Sequence, residues 1–243
     1  MTKEQDFSYI DGSREVVFDD KLLECLKKTK AIAFDLDGTL TNSIGNILKC
    51  THYTLGELGY PQPSDKAIMS TIGKELSEAL TSLLPEDKKS EGQYVTKRYR
   101  EFFMANADFQ IDHLFKGILP LMQKLREKGI KIGYASGRAH AGIMRTLNGT
   151  FLGEYCDGIA AGNECPSKPD PTMMNLLAQR LDVKCEEILG IGDSGLDILL
   201  GQNAHTMTLG VQTGVWSGDA LLKLKPDAIL KEVGDLTSYL DKL

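Results

Sequence analysis

From residue 30 onward the chain alternates short apolar runs with stretches of helical periodicity, a pattern that admits little besides a parallel sheet joined by crossover helices. The runs are AIAFDL (31–36), IKIGYAS (130–136), GIA (158–160), EILGIG (187–192), HTMTLGV (205–211) and DAIL (227–230). Amphipathic segments lie between them. GILPLMQKLREKG sets Ile118, Leu121, Met122 and Leu125 on one face and stops at Gly129. The spacing breaks once: about 95 residues separate the first run from the second, where a βαβ unit needs only about 30. That gap reads as helices alone, NILKCTHYTLGELG, SDKAIMSTIG, KELSEALTSL and the stretch from Glu86 to Ala105, punctuated by Gly59, Pro61, Pro63, Gly73 and Pro85. The expected fold is therefore α/β, a Rossmann-like doubly wound parallel sheet built from residues 30–43 and 115–243. A helical cap, residues 44–114, is inserted after the first strand. Residues 1–29 form an N-terminal extension with a short helix near Leu22 to Lys28.

Ligands of open parallel sheets bind beyond the carboxyl ends of the strands, so chemistry is sought where each strand stops. The first run ends in Asp35-Leu36-Asp37-Gly38-Thr39, the second in Ser136-Gly137-Arg138 and the fourth in Asp193-Ser194-Gly195-Leu196-Asp197. Lys168-Pro169-Asp170-Pro171 opens a helix between the last two. The Gly38 turn lets Asp35 and Asp37 face one crevice, where one carboxylate acts as nucleophile and the other as acid and base. A polar turn that caps the next helix explains a lone D-x-D-G equally well. Asp193 and Asp197, four residues apart, suit the hard oxygen site of magnesium or an ordinary helix N-cap. Lys168 offers a fixed ammonium to a transferring phosphoryl group, and Ser136 with Gly137 offers a hydroxyl and backbone N–H groups. Arg138, beside a turn, reads as a surface residue. The conjunction of all four clusters in this order carries the functional expectation.

The ordered set FDLDGTLTNS, ASGR, KPDP and GDSGLD resembles the haloacid dehalogenase-like hydrolase superfamily, and length and cap placement resemble its phosphoglycolate phosphatase-like branch. The resemblance runs from about residue 30 to the C-terminus. It implies a magnesium-dependent phosphatase acting on a small phosphate monoester, such as phosphoglycolate, a sugar phosphate or a nucleotide. Asp35 is then the nucleophile and a metal ligand. Asp37 is the acid/base, with its main-chain carbonyl on the metal, and Asp193 is the second carboxylate ligand. Asp197 belongs to the outer shell, and Thr39, Ser136, Gly137 and Lys168 are the phosphate contacts. Asn42, where members often carry Asp, and Ala135-Ser136-Gly137 depart from the common pattern.

Composition narrows the remaining classes. A net charge of -6 without a basic stripe argues against nucleic acid as a partner. No apolar stretch approaches the ~20 residues of a membrane span. Five cysteines without a C-x-x-C pair suit free thiols, so a cytoplasmic monomer or homodimer acting on a small phosphorylated metabolite is expected. The rivals are a phosphomutase, whose relatives carry His where this chain has Ile47, with His52 one turn on, and a phosphate-binding protein without turnover. Lys74 and Arg100 are the cap cations that suit charged parts of a substrate.

Overall fold

A computed structural model describes residues 19–243; the first 18 residues of the expected extension lie outside the described residues. All six apolar runs are strands: β1 (Ala31–Phe34), β2 (Lys131–Ser136), β3 (Gly158–Ala161), β4 (Ile188–Gly192), β5 (Met207–Val211) and β6 (Ala228–Leu230). They form one parallel sheet in the order β3-β2-β1-β4-β5-β6. The chain crosses from β1 outward to β3, then returns to the other side of β1.

Side chains alternate across a strand, and here the alternation sorts by size. Ile32, Phe34, Ile132 and Tyr134 enter a large core on one face, closed by α1 (Asp19–Lys28), α6 (Ile118–Glu127), α7 (His140–Gly149) and α11 (Leu236–Leu240). Ala31, Ala33 and Ala135 meet α8 (Thr172–Leu181) and α9 (Gly195–Asn203) on the other face. Small residues are required there. A Cβ on Gly133 would lie 2.9 Å from Leu177, so α8 sits too close for a larger strand residue. The α6 face anticipated from periodicity, Ile118, Leu121, Met122 and Leu125, is buried, and each such side chain contributes roughly 1.5–3 kcal/mol. A shorter helix, α10 (Gly218–Leu222), packs beside β6.

Between β1 and β2 the chain forms α2 (Ile44–Glu57), α3 (Asp65–Met69), α4 (Leu76–Leu83) and α5 (Gly92–Ala105), with a 3-10 turn over Glu86–Glu91. These helices share a separate apolar cluster of Cys50, Leu55, Leu80, Leu84, Val95 and Tyr99. The segments entering and leaving them run side by side. The Asn42 N–H donates to the His113 carbonyl at 2.8 Å, and the Phe115 N–H to the Leu40 carbonyl at 3.0 Å. No helix among the described residues is long and apolar enough to cross a membrane.

Candidate active site

β1 and β4 are neighbours across the point where the winding direction reverses, which leaves a crevice beyond their carboxyl ends. Asp35 follows β1 and Asp193 follows β4. The loop before α8 drives Lys168 into the same crevice, where it is 2% exposed. Its ammonium donates to Asp35 Oδ1 at 2.7 Å and to Asp197 Oδ1 at 2.6 Å. Asp197 is then fully engaged, because its Oδ2 accepts from the Ser194 N–H at 3.1 Å and the Ser194 hydroxyl at 2.6 Å. That reciprocal capping of α9 explains why an Asp at this spacing serves both the helix and the lysine.

Asp193 is held from two sides. The Thr39 hydroxyl donates to its Oδ1 at 3.1 Å, and the Val215 N–H to its Oδ2 at 2.8 Å. A Cβ on Gly214 would lie 1.8 Å from Asp193 Oδ2, and one on Gly38, where φ is +82°, would lie 2.7 Å away. Only glycine lets the backbone close on the carboxylate at these two positions. One oxygen each of Asp35, Asp193 and Asp197 falls within 4.8 Å of the others. Three carboxylates against one ammonium leave two negative charges in a buried site, which is the charge of one divalent cation. The hard oxygen donors and the charge deficit both fit magnesium.

The charges register this imbalance. Burial, then the neighbouring Asp197 and Asp37, lift Asp35 to about 7 even though Lys168 pulls the other way. Burial and the facing carboxylates Asp197 and Asp35 raise Asp193 well above the usual range. Lys168 moves upward, because its two carboxylate partners outweigh the burial that opposes its charge. A divalent cation would replace the protons that these carboxylates otherwise retain.

Asp37 stands in a second cluster. Arg138 grips it with Nε to Oδ2 at 2.8 Å and Nη2 to Oδ1 at 2.6 Å, and the Ser43 hydroxyl donates to Oδ1 at 2.5 Å. Arg138 also pairs with Asp112 at 2.9 Å and donates to the Thr146 hydroxyl at 2.5 Å. Burial opposes ionisation of Asp37, but the guanidinium and the hydroxyl prevail and hold its carboxyl below the ordinary range. Arg138 is therefore an interior residue, 15% exposed in its side chain, and not the surface residue expected beside a turn. The two carboxylates of D-x-D share one crevice mouth yet answer to different cations. Among the described residues, the main-chain carbonyl of Asp37 accepts no hydrogen bond, so it remains available to a metal.

A cavity of about 870 Å³ opens from Asp37 toward the inserted helices. Asp37, Ser43, Gly137 and Arg138 form its floor, and Ile47, Ile68, Leu80, Tyr99, Phe103 and Met104 line much of the facing wall. Lys74 and Arg100 line it too, paired with Glu78 at 3.4 Å and Glu75 at 3.8 Å. A turn of the inserted helices rests on the core at Gly137, where a Cβ would lie 2.4 Å from the carbonyl oxygens of Gly73 and Lys74. Nearby, the Glu75 N–H donates to the Ser167 hydroxyl at 3.1 Å. The buried Ser136 accepts from the Arg138 N–H at 3.3 Å.

Asp35, Lys168, Asp193, Asp197 and Thr39 thus share one cluster, with Thr39 turned to Asp193. Ser136 and Gly137 form the adjoining edge, and Asp37 faces Arg138. Sequence reasoning missed Asp112, Ser43 and the loop that supplies Val215. Only the position of Asp112 just before the second strand's helix hinted at a role.

Residues 32–211 match the haloacid dehalogenase-like hydrolase family. The chain belongs to that family. A phosphoglycolate phosphatase of Vibrio parahaemolyticus is 28% identical over 85% of this chain and 94% of its own length. A pyrophosphatase PpaX of Bacillus cereus is 28% identical over 89% of this chain and 98% of its own. The solved structure of a haloacid dehalogenase-like hydrolase from Bacteroides fragilis superposes with a TM-score of 0.75 at 29% identity, covering 86% of this chain and 99% of that one. The family and its phosphatase relatives place this hydrolase among the phosphatases, and the fold expected from the strand pattern is that of the haloacid dehalogenase-like hydrolases.

Proposed function

We propose that the chain is a magnesium-dependent phosphatase that hydrolyses a small phosphate monoester through an aspartyl-phosphate on Asp35. The observation that carries this reading is the state of Asp35. One oxygen is held by Lys168, and the other has no hydrogen-bond partner among the described residues, 4% exposed at the switch point of the sheet. A phosphate ester seated against Ser136, Gly137 and Lys168 presents phosphorus to that free oxygen. A bond forms from Asp35 Oδ2 to phosphorus as the bond to the ester oxygen breaks, and the departing oxygen takes a proton from Asp37, which is ionised in the resting site and must first leave Arg138 and gain that proton from solvent. Asp37 then takes a proton from a water that attacks the same phosphorus, releasing phosphate and restoring Asp35. Asp35, Asp193 and the carbonyl of Asp37 would hold magnesium, which would supply charge neutralisation for the phosphoryl oxygens. Lys168 offsets the charge of Asp35 and of a phosphoryl oxygen in the transition state, and Asp197 fixes its position.

Residues 44–114 serve as the cap that walls the site from water and selects the leaving group. The relatives' names point to small phosphorylated compounds, phosphoglycolate and pyrophosphate among them. The five free cysteines favour the cytoplasm. A phosphomutase is disfavoured by His52, whose ring is tied to Gln62 at 2.8 Å and Asp65 at 2.7 Å away from the cavity, while Ile47 lines it. Phosphate release from p-nitrophenyl phosphate tests the reading. It should require magnesium, stop in a chelator and vanish in Asp35→Asn. Full activity in the chelator would remove the metal, and activity of Asp35→Asn would remove the nucleophile.

A further inference from the structure

Four cations line the cavity, and three of them are neutralised nearby: Lys74 by Glu78, Arg100 by Glu75, Arg138 by Asp37 and Asp112. The fourth is Arg145, on α7. Among the described residues it forms no ion pair, and its Nε is buried without a hydrogen-bond partner. Its guanidinium lies over the Phe103 ring, 4.6 Å from the centroid, so the core and the inserted helices meet at this pair. Leaving a buried donor of a charged group unpaired is costly, and a stack on one aromatic face does not relieve it. Burial, then the nearby charge of Arg138, oppose its protonated form and outweigh the pull of the Asp112 and Asp37 carboxylates, so its charge is incompletely balanced in the cavity wall. Phe103 covers one face of the guanidinium, and Met104, Phe109 and Ile111 add apolar surface to the same cavity, which raises the worth of a charge-assisted contact.

We propose that Arg145, stacked on Phe103, is a specificity residue that binds a second anionic group on the leaving group of the substrate. This rests on the phosphatase reading above and adds the substrate class: phosphate monoesters whose alcohol carries a distal carboxylate or phosphate behind an apolar or planar body. The phosphoryl group lies at Asp35, the ester oxygen at Asp37, and the remainder extends along the cavity floor past Arg138 to Arg145. A planar guanidinium whose edge donors remain free receives such a group in bidentate fashion.

Three matched aryl esters test it: phenyl phosphate, 4-carboxyphenyl phosphate and 1,4-benzene bisphosphate. Each is assayed with the wild type, Arg145→Met and Arg145→Lys in saturating magnesium, and the variant-to-wild-type ratio for each ester cancels the electronic differences between leaving groups. In Arg145→Met, KM should rise about ten- to hundredfold for one or both esters with an anionic distal group, with phenyl phosphate changed less than about twofold. Arg145→Lys should recover part of the loss. The carboxylate and bisphosphate arms show which anion fits. Equal ratios for all three esters would overturn the proposal while the phosphatase reading stands, because phenyl phosphate would still be hydrolysed. Failure of the wild type to hydrolyse any of the three would overturn both. Melting temperatures of the variants separate a binding loss from unfolding: a variant that melts far below the wild type yet keeps phenyl phosphate turnover still reports on binding.

Discussion

Arg138 sets the charge state of Asp37, and so decides, in the mechanism proposed, which half of the reaction the resting site is prepared for. With its carboxyl held below the usual range, Asp37 stands ionised, the form that deprotonates water. Protonating a leaving oxygen requires that grip to loosen. The grip also stabilises the fold. A carboxylate with a depressed folded value contributes stability that is fully present above the unfolded value and is lost as pH falls through the folded one. Arg138→Met should therefore destabilise the protein by about 3–5 kcal/mol at neutral pH, since Asp37 and Asp112 lose their counter-charge in the interior. The difference should shrink in acid as Asp37 protonates. Melting curves of both proteins against pH measure it, and a gap independent of pH would contradict the assignment. At this scale the sequence was legible where a residue follows a strand or opens the helix after it, as for Asp35, Lys168, Asp193 and Asp197. It was not legible for Arg138, Asp112 and Arg145, whose partners are fixed only when the inserted helices and α7 close on the sheet.

Among the elements, the inserted helices depend on two seats: the paired linkers at Asn42–His113 and Leu40–Phe115, and the turn that rests on Gly137. Both contacts use backbone, so side-chain patterns hardly announce them. Helical periodicity located α2, α4 and α5, but it ran past α3, which stops at Met69 and leaves Ser70–Gly73 as a turn. That turn is the piece that reaches the core. Gly137→Ala would push a Cβ into the carbonyl oxygens of Gly73 and Lys74 at 2.4 Å, and neither backbone can yield as a side-chain tip would. The expected result is faster hydrogen exchange over residues 72–76 and a lower kcat, with exchange in β1 and β4 unchanged. Unaltered exchange at the turn would show that the seat does not hold the cap.

For the whole molecule, stability should depend jointly on pH and magnesium. Asp35 is lifted from 3.8 to about 7, so between those values the folded chain holds more protons than the unfolded one. Stability from this group therefore falls as pH rises through that window. Asp35→Asn removes the titration, so without metal its melting temperature should gain on the wild type as pH rises through the window. Magnesium bound to the deprotonated carboxylates, as proposed, should restore wild-type stability, more at the upper end of the window than at the lower. Thermal melts of both proteins in magnesium and in chelator over this range check the slope and its reversal. A magnesium effect equal at both ends, or undiminished in Asp35→Asn, would contradict the carboxylate site.

The covalent intermediate on Asp35 can be trapped in Asp37→Asn. An aryl phosphate needs little protonation of its leaving oxygen, so the first step should survive the loss of the acid, while the second step lacks its base. With an alkyl phosphate the first step itself should slow by roughly 10²- to 10⁴-fold. Rapid mixing of Asp37→Asn with p-nitrophenyl phosphate and magnesium should give a burst of phenolate of about one equivalent, followed by slow turnover. Acid-quenched protein should then carry one phosphoryl group, mapped by peptide mass to Asp35. Near-wild-type turnover with no burst and no phosphorylated Asp35 would contradict the mechanism.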